Sequence, residues 1–174
     1  LGDQVPLGKA LVIYALPSNY HDIRPDFRQI LEEAGYTVET GHGHLTDFHS
    51  MSDAAITVIH CHGGLAEIGG VQHYGIDAAH HEDARVMLDE WYLWLKRHEL
   101  GVYHRIEWEE QGTPPVLVPR RSYWGATIMD TWFENNIESM VPNSLVVMLT
   151  CHSADIDSPW SIFSEKGAGG FLGF

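Results

Sequence analysis

The sequence predicts an α/β domain: a mostly parallel sheet with helices against its faces. Apolar runs rich in β-branched residues recur at residues 9–16, 54–61 and 144–149, the pattern of strands covered on both faces. A helical pattern follows the first run and leads into another strand. Alternation of this kind points to parallel crossover units.

Residues 9–16 (KALVIYAL) read as a central strand that Pro17, Ser18 and Asn19 break. Pro25 suits the first turn of a helix, Phe27, Ile30, Leu31 and Ala34 recur at helical spacing, and Gly35 closes it. Residues 36–40 (YTVET) alternate as a second strand. Residues 41–52 (GHGHLTDFHSMS) read as a loop with three histidines, and residues 54–61 (AAITVIHC) as a third strand running into His62-Gly63-Gly64. Residues 65–79 are Gly-rich and read as irregular. Ala84, Met87, Leu88, Trp91 and Leu95 share one face of a helix over about 80–98, stopped by Gly101. Residues 102–108 and 116–118 read as short strands around a turn at Gly112-Thr113-Pro114-Pro115. Ile128, Trp132, Phe133, Ile137 and Met140 mark a helix over 127–140. The run SLVVMLTCHS at 144–153 follows, then a polar loop, a helix near 159–165 and a strand at 171–174.

A chain of 174 residues suits one domain with a sizeable core. Ten Lys and Arg against 24 Asp and Glu give a formal net charge of −14. That balance argues against nucleic acid or an anionic membrane as partner, because both need basic patches. It suits a solvated acidic surface, or a cationic substrate. No apolar run approaches the ~20 residues of a membrane helix, and no signal pattern is seen. The chain begins with Leu1 rather than Met, so it reads as a processed product or a piece of a longer protein with further domains. A cytoplasmic setting is slightly favoured. Two cysteines make no disulfide framework, so Cys61 and Cys151 are expected as reduced thiols.

Two apolar strands end in residues that can do chemistry: His62 with Gly63 and Gly64, and Cys151 with His152. Ligands gather beyond the carboxyl ends of the strands in open α/β sheets. If the two strands are parallel neighbours, His62 and Cys151 emerge at one edge, where an imidazole can take the thiol proton. The glycines suit a tight turn whose N–H groups face an oxyanion. The bland alternatives are a cysteine buried as core and a histidine that only shapes a turn. Period-2 alternation puts His60 on the side of His62 and turns Cys61 toward the core. His152 either tunes the thiol or shapes its loop.

The blocks ITVIHCHGG and SLVVMLTCHSA, an apolar run into His-Gly and a later one into Cys, resemble the signature of the caspase-like cysteine peptidases. That superfamily includes caspases, metacaspases, clostripain, gingipains, separase and CHAT-type domains. The Cys-His-Ser run is similar to the metacaspase version, and GAGGFLGF resembles the strand after the cysteine in bacterial members. The resemblance implies a three-layer α/β/α sandwich and a Cys151–His62 dyad. It also implies oxyanion donors at the backbone N–H groups of Gly63 and Cys151. Cysteine endopeptidase activity on a peptide or protein substrate, through a thioester acyl-enzyme and with no cofactor, follows from it. Metacaspases place acidic residues just before the cysteine to bind a basic P1 side chain, whereas this chain has Leu149-Thr150. Asp155 or Asp157 is the substitute candidate, with Trp160 and Trp124 as walls of the substrate pocket.

Two other functions compete. One is a catalytically inactive caspase-like binding or regulatory domain. The other is a metal-dependent hydrolase, because His42, His44, His49, His60, His62, His73, His80 and His81 could serve as ligands. Their spacing matches no short zinc motif, and HExxH is absent. Neither a phosphate-binding Gly-Lys-Ser/Thr loop nor a Gly-x-Ser-x-Gly elbow occurs.

Overall fold

In the computed structural model, which describes residues 7–16, 20–78, 99–112, 114–155 and 157–174 (backbone alone at 102–108 and 120–126), the apolar runs form one parallel sheet. Its strands are β1 (Lys9–Tyr14), β2 (Thr37–Gly41), β3 (Ala54–His60), β8 (Leu145–Leu149) and β9 (Gly170–Gly173), in the order β2-β1-β3-β8-β9. Every neighbouring pair is parallel. Side-chain alternation divides the strands between two apolar layers. Ala10, Val12, Val38 and Val58 face Leu31 of α1 (Arg24–Glu33). Leu11, Ile13, Ile59, Val146 and Met148 face the other way, against α2 (Leu45–His49), α3 (Asp130–Asn136) and α4 (Ser158–Glu165). The architecture is a three-layer α/β/α sandwich around a parallel sheet.

The first helix ends as the sequence predicts. Gly35 has φ +96°, the Tyr36 N–H donates to Leu31 O and the Gly35 N–H to Glu32 O, a Schellman closure. Ile30, expected on its apolar face, is instead 61% exposed, and Leu31 is the buried residue of the helix.

Three stretches differ from expectation. The histidine loop at 41–52 contains α2 and a 3₁₀ turn (Ser50–Asp53). One carboxylate oxygen of Asp47 accepts the N–H groups of His42, Gly43 and His44 at 2.8, 2.9 and 3.0 Å. This local bonding lets a short polar stretch turn helical without an amphipathic repeat. Of the stretch 65–79, expected as irregular, residues 65–77 instead belong to a hairpin of β4 (Gly63–Ile68) and β5 (Val71–Asp77). Gly69 and Gly70 link them with φ +61° and +83°, the positive angles that a type I′ turn requires. The helix expected over 127–140 begins only at Asp130. Thr127, Ile128 and Met129 pair with β5, so sheet contacts override the helical spacing. The five apolar residues are buried all the same, with Ile137 and Met140 beyond the helix end.

Strands β4 and β5 continue into β7 (Val116–Met129) and β6 (Leu100–Gln111), giving an antiparallel sheet in the order β4-β5-β7-β6. The strands read at 102–108 and 116–118 are the central part of β6 and the start of β7, and Gly101 lies within β6. Tyr74, Ile76, Leu100 and Ile128 join the same core as the parallel sheet. The helix expected over 80–98 lies outside the described residues. No helix among the described residues is long and apolar enough to cross a membrane.

Replacing Asp47 removes the acceptor of three N–H groups in one step. Asp47→Ala is expected to lower stability by about 1–2 kcal/mol, the range for losing a helix cap. Urea unfolding measures it, and an unchanged midpoint would show that water replaces the carboxylate without loss.

Candidate active site

The parallel pairing of β3 with β8 sets the geometry. Residues Ile56 to His60 lie opposite Leu145 to Leu149, ending with His60 beside Leu149. The chain leaves both strands at the same edge. From β3 it runs through Cys61 into His62 and the first residue of β4, and from β8 through Thr150 into Cys151. Order β2-β1-β3 also makes β1 and β3 a topological switch point, where such sheets open a crevice.

Cys61 is buried, as alternation predicts, and burial pushes its thiol well above the ordinary range. Cys151 is the exposed thiol. His60 lies edge-on to Tyr14 at 5.6 Å, and His62 edge-on to Tyr20 at 5.5 Å. Burial, with a further coulombic effect of nearby His21, holds the His60 pKa below its ordinary value. The backbone beside His62 is fixed: its carbonyl accepts the Asp77 N–H at 2.9 Å, and the His60 carbonyl accepts the Ala15 N–H at 3.0 Å.

Gly63 is required by close approach. A Cβ there would overlap the Tyr74 hydroxyl oxygen and lie 2.7 Å from the Cys151 carbonyl oxygen. The His62-Gly63 turn therefore touches the Cys151 loop, bringing together two segments about ninety residues apart in the chain.

Tyr74 joins these segments from beneath. Its buried hydroxyl bonds with Thr150 Oγ1 and donates to the Cys151 carbonyl at 3.2 Å. Burial raises the phenol pKa far above its ordinary value, so the group remains a donor at any working pH. The Tyr74 N–H in turn donates to Asp130 at 3.1 Å. Asp130, only 6% exposed, also accepts the Thr131 N–H at 2.8 Å and the Ser158 hydroxyl, and bonds His73 Nδ1 at 2.9 Å. One carboxylate thus ties β5 to the starts of α3 and α4. Beyond the cysteine, Ser153 Oγ accepts the Phe174 N–H at 2.8 Å, and the Ser153 N–H donates to Phe174 O at 2.9 Å. The loop between β8 and α4 is anchored on both sides of Cys151.

The remaining candidates lie around this loop. His152 adopts φ +62°, and its Nδ1 bonds Asp155 at 2.5 Å, with both side chains more than half exposed. Asp155 is thus engaged by the residue next to the nucleophile candidate. Asp157 stands exposed at the N-cap of α4. Trp160 is 38% exposed and packs against Phe171 with ring centroids 6.2 Å apart. The Trp124 side chain lies outside the described residues. Among the described residues, no three His, Cys, Asp or Glu side chains are grouped to hold a metal ion.

Sequence reading missed Tyr74, Thr150 and Asp130. Tyr74 lies in the stretch that reads as irregular, where the Gly69-Gly70 pair is the available hairpin signal. Thr150 and Asp130 offer no local signal, because their partners lie 76 and 56 residues away.

Comparison with known protein families, with curated proteins and with solved structures finds no match.

Tyr74→Phe keeps the ring and deletes the hydroxyl that bonds Thr150 and Cys151. It is expected to cost about 1–3 kcal/mol through the acceptors left buried, measured by thermal or urea unfolding. Gly63→Ala should cost more, because backbone oxygen cannot yield to the new methyl. Equal stability of Tyr74→Phe and the parent protein would contradict this account of the loop.

Proposed function

We propose that the chain is a caspase-like cysteine endopeptidase in which Cys151 is the nucleophile and His62 handles the protons. The observation carrying this reading is the parallel pairing of β3 with β8. It sends the His62-Gly63 turn and the Cys151 loop off one edge of the sheet, into contact at the Cys151 carbonyl. The resemblance of ITVIHCHGG and SLVVMLTCHSA to the caspase-like blocks supports it, as does the α/β/α architecture. Fold alone assigns no function, so the weight rests on these two strand ends.

In the proposed cycle His62 accepts the Cys151 proton and the sulfur bonds the scissile carbonyl carbon. Backbone N–H groups of Gly63 and Cys151 stabilise the oxyanion. Collapse of the tetrahedral intermediate breaks the carbon–nitrogen bond. The departing amine takes its proton from His62, leaving a thioester on the sulfur. His62 then deprotonates a water that attacks the thioester, and the acid leaves with the thiol restored. The cycle uses no cofactor. Asp155, Asp157, Trp160 and Trp124 are the proposed walls of the substrate site, and the His152 contact tempers what Asp155 can offer a basic side chain.

A panel of peptidyl acyloxymethyl ketones varied at P1 tests the reading. One adduct is expected, mapped by mass spectrometry to Cys151, with Cys61 unmodified because it is buried. Peptide cleavage should fall about 10²–10⁴-fold in His62→Ala, the contribution of a positioned acid–base group. A folded protein that takes no ketone, or takes it at Cys61, contradicts the peptidase and favours a binding module. Activity lost to a chelator with near-stoichiometric bound zinc would favour the metal hydrolase.

A further inference from the structure

Cys61 is a nucleophilic group that the proposed cycle leaves idle, and it lies one residue beyond the last paired residue of β3. Cys151 lies two beyond the last paired residue of β8. The two chains stay side by side past that last pair, since a Cβ on Gly63 would lie 2.7 Å from the Cys151 carbonyl oxygen. Cys61 and Cys151 are therefore diagonal neighbours where β3 and β8 leave the sheet. Strands ~4.8 Å apart that rise ~3.3 Å per residue put diagonal Cα atoms about 6 Å apart. A disulfide spans Cα separations of about 4.4–6.8 Å.

The surroundings of the two sulfurs differ. Cys61 is 3% exposed and packs in the main apolar cluster with Tyr74. Cys151 is exposed and sits in a turn past the last ladder bond of β8, so strand pairing does not fix its side chain. A dissolved oxidant reaches Cys151 and not Cys61. The Tyr74 hydroxyl, from the cluster that holds Cys61, donates to the Cys151 carbonyl at 3.2 Å. Burial, then Asp77, then Cys151 hold the Cys61 thiol up, so the two thiols share one electrostatic neighbourhood. The chain has two cysteines, and pairing within one molecule has a single solution.

We propose that Cys61 is a resolving cysteine, and that peroxide converts the pair into a Cys61–Cys151 disulfide that thiols reverse. The Cys151 thiolate attacks one oxygen of hydrogen peroxide, the oxygen–oxygen bond breaks and hydroxide leaves. Sulfur loses two electrons and becomes sulfenic acid. The Cys61 sulfur then bonds the Cys151 sulfur, the sulfur–oxygen bond breaks, and the departing hydroxide takes the Cys61 proton. Two thiols and one peroxide thus give one disulfide and two waters. The bond blocks Cys151 and stops its oxidation short of sulfinic acid, which thiols do not reverse. This chemistry needs an accessible thiol and a buried neighbour, and it stands whether or not the chain cleaves peptides.

The test adds excess hydrogen peroxide to the folded, reduced protein, followed by intact mass and non-reducing peptide mapping. The expected product is a monomer lighter by about 2 Da, the two hydrogens lost on disulfide formation. A linked peptide should contain both cysteines. Iodoacetamide labelling of Cys151 should vanish, then return in full after dithiothreitol. In Cys61→Ala the same treatment should carry Cys151 to sulfinic acid, about 32 Da heavier, and dithiothreitol should restore little of the labelling. Cys151→Ser should leave Cys61 a thiol under the same peroxide, because oxidation starts at the exposed sulfur. The inference is overturned if the parent protein accumulates sulfinic acid without the linked peptide, or if Cys151 pairs between two molecules. It is equally overturned if both thiols survive peroxide, or if Cys61→Ala recovers as fully as the parent. Should Cys61→Ala fail to fold, the peptide map of the parent protein decides alone.

Discussion

The backbone hydrogen bonds between β3 and β8 decide where the reactive groups of this protein can be. Parallel pairing in the observed register carries both strands to the same edge, and each then delivers a functional residue two positions beyond its last paired one. Antiparallel pairing, or another strand inserted between them, would have separated His62 from Cys151 by the length or breadth of the sheet. The sheet itself is held by apolar burial on two faces, with β1, β3 and β8 at its centre. That burial contributes roughly 25 cal/mol for each Å² of apolar surface removed from water. The rigid part of the molecule thus lies under the candidate dyad, and the chemistry is left to the loops.

Those loops are not free to wander. Tyr74 reaches from the antiparallel sheet to the Thr150 hydroxyl and the Cys151 carbonyl, and Asp130 accepts the Tyr74 N–H. A buried carboxylate is tolerable only when its lone pairs are filled, and four groups from β5, α3 and α4 fill those of Asp130. The second sheet is therefore more than decoration on a parallel core. It supplies the histidine-side turn and the hydroxyl that steadies the cysteine loop.

How much of this can be read from sequence depends on the range of the interactions involved. The central strands were legible because burial on both faces demands unbroken apolar runs. The burial of Cys61 was legible because strand alternation is strict. The α1 closure was legible because Gly35 takes a conformation that costs other residues energy. Helix α2 was not, since one Asp47 side chain organises it, without any apolar repeat. The start of α3 was misread because the spacing of Ile128, Trp132 and Phe133 fits a buried strand-to-helix junction as well as a continuous helix. Of the candidate site, the two strand ends could be seen, while Tyr74, Thr150 and Asp130 acquire meaning only once distant segments meet. On the substrate side, Asp155 proved to be bonded to His152, a contact three residues away that composition does not reveal.

The central claim is that His62 acts on the Cys151 thiol. It is tested most directly by the rate at which iodoacetamide alkylates Cys151 at pH 7 in the parent protein and in His62→Gln. Iodoacetamide needs no substrate pocket and reacts with thiolate, and buried Cys61 contributes no background in the folded protein. The account predicts a drop of about tenfold or more when the imidazole is removed, equal to one pKa unit of thiolate population. Equal rates in the two proteins, with the fold intact, would show that the imidazole does not act on the thiol and would contradict it.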